Sequence, residues 1–158
     1  MGTLVTRSAG ATARAAAVVI RELTASRRRP IVLALTGPLG SGKTAFVQGL
    51  ARSLGIRERV QSPTFVLVKR YQLPARSRHR YGFRHFVHID AYRLDSVAQA
   101  RHLGLGAVFR DPNTVVVVEW ADRIRKLIPR STIWIHLKHG RGTRERTIKF
   151  VKHAKRVK

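Results

Sequence analysis

The chain contains no cysteine, which removes thiol catalysis, cysteine-ligated zinc and a disulfide framework from the functions open to it. Acids are nearly as scarce: 8 Asp plus Glu stand against 32 Lys plus Arg, a formal charge of +24. A field of that sign draws polyanions. RNA or another acidic partner is one reading and a solvated, lineage-wide basic bias is the other, because charge alone carries no specificity. Long apolar runs are also missing. Stretches such as residues 15–20 and 115–118 fall far below the roughly 18 to 20 residues that a membrane-spanning helix needs. A soluble protein with no membrane partner is therefore expected, and the lack of cysteine suits a cytoplasmic one.

What is present is enough for one ordinary domain, since 158 residues at 44% apolar content can bury a sizeable core without a disulfide or structural metal. The expected division is a single domain over residues 1–151 and a basic tail over 152–158. The positive excess gathers in Arg27, Arg28 and Arg29, in Arg76, Arg78, His79 and Arg80, and in residues 138–158, where the only acid is Glu145. Residues 7–29 are rich in Arg, Ala and Ser, the composition of a cleaved targeting peptide. Val18, Val19, Leu23 and their alanine neighbours also make a buried stripe, and the segment is read as a first amphipathic helix over 11–25.

Residues 26–30 read as a charged turn. The apolar run 31–36, too short for a buried helix and followed by glycines, reads as a strand of a parallel sheet covered on both faces. A helix from 43 to about 54 follows, with Phe46, Val47 and Leu50 at helical spacing and Gly55 at its end. Ser62-Pro63-Thr64 breaks the pattern before an alternating strand over 65–73. Residues 74–84 read as a basic loop leading to a strand over 86–89 that ends on Asp90. A polar helix near 96–103, Gly104, Gly106 and an Asp111-Pro112-Asn113 turn lead into a fully apolar strand over 114–118 that ends on Glu119. Strands over 132–138 and 143–151 close the sheet as a hairpin.

The densest chemical signal is Gly37-Pro38-Leu39-Gly40-Ser41-Gly42-Lys43-Thr44, a G-x-x-x-x-G-K-T pattern between a strand and a helix. Its glycines let the backbone turn its N–H groups onto a phosphate chain, and the helix that follows adds the positive end of its dipole. Lys43 is suited to the β- and γ-phosphates, and the Thr44 hydroxyl to Mg²⁺. The candidate nucleotide-binding segment thus runs from Gly37 through Ala45. A P-loop also needs acids on neighbouring strands, where ligands gather at carboxyl ends. In a chain with so few acids, Asp90 and Glu119 each directly follow a short, mostly apolar run, which makes them candidate magnesium residues beside Thr44. Either one could orient an attacking water. Thr64, in a stiff turn, is a further candidate. The spacing of His79, His85 and His88 matches no zinc pattern, and they read as histidines of a basic patch.

Together these segments resemble the TsaE (YjeE-type) family, P-loop ATPases of bacterial tRNA threonylcarbamoyladenosine biosynthesis. The resemblance runs from about residue 8 to 148. Its anchors are the P-loop, Ser62-Pro63-Thr64-Phe65, His88-Ile89-Asp90-Ala91-Tyr92-Arg93-Leu94, Leu103-Gly104 and Val118-Glu119-Trp120. It implies a P-loop NTPase-like α/β fold, a central, mostly parallel sheet flanked by helices with a C-terminal β-hairpin. It also implies an ATP- and Mg²⁺-dependent ATPase that works with TsaD and TsaB. In such proteins the residues matching Thr44 and Glu119 look like magnesium ligands, those matching Thr64 and Asp90 support hydrolysis, and Trp120 packs near the site. Thr12 matches a position near the nucleotide base. The chain departs from the family at Pro38, where an acid is usual, and over 96–101, which here has no acid.

Two other functions remain open to these residues. One is a small P-loop kinase, with residues 76–84 as a lid. The other is a basic RNA-binding module with a relic P-loop, contacting tRNA through the basic loop and tail.

Overall fold

The computed structural model describes residues 2–23, 30–63 and 66–152. Expectations for residues 24–29, Thr64, Phe65 and 153–158 lie outside the described residues. Seven strands form one sheet: β1 (Thr3–Thr6), β2 (Ile31–Thr36), β3 (Val68–Gln72), β4 (His85–Asp90), β5 (Thr114–Glu119), β6 (Ile133–His139) and β7 (Arg146–Lys152). Their order is β1-β7-β6-β2-β5-β4-β3. The four central strands β6, β2, β5 and β4 run parallel, while β7, β1 and β3 are antiparallel additions at the two edges. This is the expected mixed α/β architecture with its C-terminal hairpin.

The central strands are buried on both faces, as their unbroken apolar runs require. Leu33 and Leu35 of β2 and Val115 and Val117 of β5 point to one face, which is covered by α1 (Ala9–Leu23) and α2 (Lys43–Ser53). Val32, Ala34, Val116 and Val118 point to the other. There the cover comes from α4 (Val97–His102), α5 (Leu105–Val108) and a 3-10 turn (Ala121–Ile124). Ser96 caps α4 by accepting from the Gln99 N–H at 3.2 Å, a start signal that the sequence carries.

Several local expectations change. The helix α1 begins at Ala9, and its inward stripe is Thr12, Ala13, Ala16, Val19 and Ile20; Val18 is exposed. Small residues face inward because α1 lies close against α2: a Cβ placed on Gly49 would come 2.1 Å from the carbonyl oxygen of Ala13. The segment 74–84 is not a loop. It holds α3 (Ala75–Tyr81), capped by Pro74 in extended conformation and ended by Gly82 at φ 77°. Only Ser77 and Tyr81, four apart, are buried on it. The strand expected over 65–73 is shorter, since β3 starts at Val68 and Val66 is exposed. The strand β1, the helix α5 and the 3-10 turn were not expected.

Candidate nucleotide-binding site

The strand order places β2, β5 and β4 side by side, so their carboxyl ends bring residues 37–42, Glu119 and Asp90 together at one edge of the sheet. Asp90 stands directly across from Glu119 in the parallel register. Both are 2% exposed. With Lys43, Thr44, Ser62 and Trp120 they border a cavity of about 380 Å³.

The loop is shaped for a phosphate chain. Gly37, Gly40 and Gly42 have φ of 142°, 71° and 97°, backbone positions that side chains avoid. At Gly37 a Cβ would also stand 2.1 Å from the carbonyl oxygen of Leu137. Gly42 caps α2 without any side-chain hydrogen bond, so the first N–H groups of that helix are left for a ligand. The Ser41 Oγ is buried and has no hydrogen-bond partner among the described residues. These features fit an anion of phosphate type.

Lys43 is 5% exposed, and its Nζ donates to the carbonyl oxygens of Gly37 at 2.8 Å and Pro38 at 2.9 Å. The same ammonium lies 3.7 Å from the centroid of the Trp120 ring. Burial pushes the Lys43 pKa below its ordinary value, while Glu119, Asp90 and Asp122 oppose that shift.

The donor set beside it suits a hard cation. Thr44 Oγ1 donates to Glu119 Oε2 at 3.0 Å. Asp90 accepts from Ser62 Oγ and, through Oδ1, from the Tyr92 N–H at 2.9 Å. One hydroxyl and two carboxylates are the sparse protein ligation that Mg²⁺ tolerates, because it keeps several waters. Among the described residues no group of three or more His, Asp or Glu could hold a metal ion.

Of the candidates, Leu39, Gly40, Gly42, Lys43, Thr44, Asp90, Glu119 and Trp120 line this cavity, whereas Gly37, Pro38 and Ser41 belong to the same loop without lining it. Ala45 also lines the cavity. Thr12 arrives differently. It is 1% exposed, its hydroxyl is 2.8 Å from that of Thr6, and its methyl lies under Gly42, so it packs α1 against the loop. Trp120 adopts a left-handed conformation, φ 56° and ψ 39°, that opens the 3-10 turn and sets its ring 5.0 Å from that of Tyr92.

Three contacts were not legible in the sequence. His88 is no surface histidine: it is 0% exposed, with Nε2 2.9 Å from Glu119 Oε1. Arg146 Nε donates to the Gly40 carbonyl at 3.0 Å, and His139 Nε2 lies 3.1 Å from that of Leu39. The latter two pairs bridge more than 95 residues, beyond the reach of local pattern. For His88, its place two residues before Asp90 on an apolar strand was the available signal.

Comparison with known proteins gives one family. A family model described as threonylcarbamoyl adenosine biosynthesis protein TsaE matches residues 6–148. The tRNA threonylcarbamoyladenosine biosynthesis protein TsaE of Bacillus subtilis (strain 168) is 38% identical over 132 residues, 83% of this chain and 76% of its own length. Its counterpart in Treponema pallidum (strain Nichols) is 37% identical over 145 residues, 91% of this chain and 97% of its own. The crystal structure of Bacillus subtilis YdiB superposes with a TM-score of 0.74 at 28% identity, covering 98% of this chain and 86% of that one.

Proposed function

The chain belongs to the TsaE family of threonylcarbamoyl adenosine biosynthesis proteins, and we propose that it serves there as an ATPase that binds ATP with Mg²⁺ and hydrolyses it slowly. Its nucleotide state would govern association with TsaD- and TsaB-type proteins. One observation carries this reading: the glycine nest and Lys43 meet an in-register pair of buried carboxylates, Asp90 and Glu119, at the carboxyl ends of adjacent strands.

The chemistry asked of the protein is positioning and charge stabilisation. The N–H groups of the loop and of the first turn of α2 hold the phosphate chain. Lys43, already desolvated, carries its charge to the transferring phosphoryl group. Thr44, Glu119 and Asp90 would hold Mg²⁺ and its waters, and the bound ion would neutralise charge on the phosphate oxygens. Glu119 is tied to the Thr44 hydroxyl, whereas Asp90 is held by Ser62 and the Tyr92 N–H. Asp90 is therefore assigned the attacking water.

The test is Lys43→Ala. Turnover should fall by on the order of 100-fold, with phosphate released by the unmodified protein in the absence of any acceptor, which separates an ATPase from a kinase. Unchanged ATP affinity and turnover would sink the assignment. Pull-downs with TsaD and TsaB in ATP and in ADP test the partners; association in neither state removes that part of the proposal.

RNA contact is favoured by one structural feature, the outer face of α3. Arg76, Arg78, His79 and Arg80 are all exposed there, and no acid lies on that helix. This surface is proposed to meet the tRNA backbone, with strong salt dependence as the signature. No helix among the described residues is long and apolar enough to cross a membrane.

A further inference from the structure

His88 sits on β4 facing the α1 and α2 side of the sheet, the same side as Asp90 and Glu119. In the register it stands opposite Val117, and Glu119 is the next residue of β5 on that face. The diagonal brings the imidazole Nε2 to 2.9 Å from Glu119 Oε1, with the two side chains 0% and 3% exposed. Glu119 Oε2 is meanwhile the closer partner of the Thr44 hydroxyl, at 3.0 Å. The carboxylate is thus gripped from both sides. The other ring nitrogen, Nδ1, is buried and has no partner among the described residues. A carboxylate oxygen only accepts, so the ring nitrogen that faces Glu119 is the one that carries a hydrogen. Nε2–H therefore donates to Glu119 Oε1.

We propose that His88 is a positioning residue for the magnesium site: its Nε2–H fixes the rotation of the Glu119 carboxylate, leaving Oε2 turned toward Thr44 and the loop. The inference rests on the reading of Glu119 and Thr44 as magnesium residues. It follows the general pattern in which a buried partner behind a metal-binding carboxylate orients it. No step of phosphoryl transfer otherwise uses this histidine, and a buried polar group within an apolar strand needs such a reason.

The test compares ATP affinity with Mg²⁺ and with EDTA, by calorimetry, in the wild-type protein, His88→Leu and His88→Gln. Gln can place an N–H where Nε2 stands; Leu cannot. The Mg²⁺-dependent gain in affinity should shrink by about 10-fold or more in His88→Leu, while affinity in EDTA stays near wild type and His88→Gln recovers most of the gain. An unchanged gain in His88→Leu overturns the proposal. So does an equal loss with and without Mg²⁺, which marks general damage to the loop. If His88→Leu does not fold, His88→Asn replaces it, because its amide falls at the Nδ1 position. Asn weak and Gln near wild type supports positioning; Asn and Gln alike overturns it. Imidazole ¹H–¹⁵N spectra of the wild-type protein give a readout without nucleotide: Nε2 should carry a hydrogen, and an unprotonated Nε2 overturns the proposal. Should wild-type protein gain no ATP affinity from Mg²⁺, it is the magnesium reading itself that fails, a result distinct from any difference among the variants.

Discussion

The Lys43 ammonium rests 3.7 Å from the centre of the Trp120 ring while donating to two carbonyls of its own loop. The aromatic face attracts a cation whose charged form burial disfavours. Trp120→Ala should therefore weaken ATP affinity by roughly 5-fold, about 1 kcal/mol, with Trp120→Phe retaining most of it. Trp120 also occupies a left-handed backbone position at φ 56°. Trp120→Gly should bind ATP as weakly as the alanine variant yet melt higher than it, by about 1 kcal/mol of stability. Calorimetry and thermal melts separate the two effects, and an alanine variant with unaltered affinity would remove the ring from the site.

Gly49 is where α2 meets α1. A methyl group there would meet the Ala13 carbonyl oxygen at 2.1 Å and its Cα at 2.4 Å, so the helices cannot stay where they are. Gly49→Ala should cost about 3 kcal/mol, lowering the melting temperature by roughly 6–12 °C. Because Thr12 on α1 packs beneath Gly42, ATP affinity should drop with it. A variant that melts like wild type would show the helix pair to be more yielding than its backbone contact implies.

How much of this was legible beforehand depends on where each constraint lies. The P-loop could be read because its glycines and lysine answer to local backbone geometry, and Asp90 and Glu119 because both end apolar runs in a chain with 8 acids. Helix α3 could not be read, since its buried side is only Ser77 and Tyr81 and the first of these is polar. Strand β1 is short, and three of its four residues are exposed; pairing with β7 creates it, and that partner lies at the opposite end of the chain. His88 reads as a basic-patch residue by composition; its place two residues before Asp90 on an apolar strand signals burial, but its partner Glu119 follows from the register of β4 on β5.

His136 ties the start of the loop to the sheet: its Nδ1 is 2.6 Å from the hydroxyl of Thr36, the residue before Gly37. Burial, then Lys149, Arg125 and Lys138, lower its pKa below 6.5. The unfolded chain therefore takes up this proton first as pH falls. The stability contributed by neutral His136 is present above pH 6.5 and is lost as pH drops toward and through the lower folded value. His136→Asn keeps an acceptor near Nδ1 but does not titrate, so its melting temperature should fall less than wild type between pH 7 and pH 5. Parallel curves for the two proteins would show that this histidine does not set the acid limb.

Arg146 closes the C-terminal hairpin over the loop. Its Nε donates to the Gly40 carbonyl at 3.0 Å, and its Nη1 to the carbonyls of Thr143 and Glu145, each at 2.8 Å. A planar guanidinium can make these bonds together; an ammonium on a flexible stem cannot. Gly40 lies at the tip of the phosphate nest, so the arginine restrains a turn that must be preorganised to bind. Arg146→Ala and Arg146→Lys should both lower ATP affinity, the alanine variant by roughly 5-fold, about 1 kcal/mol for a hydrogen bond made at the surface. The melting temperature should move little, because the side chain contributes no core packing. Stopped-flow release of a fluorescent ATP analogue should place the loss in a faster off-rate. A destabilised protein with wild-type affinity would instead make Arg146 a brace of the hairpin alone.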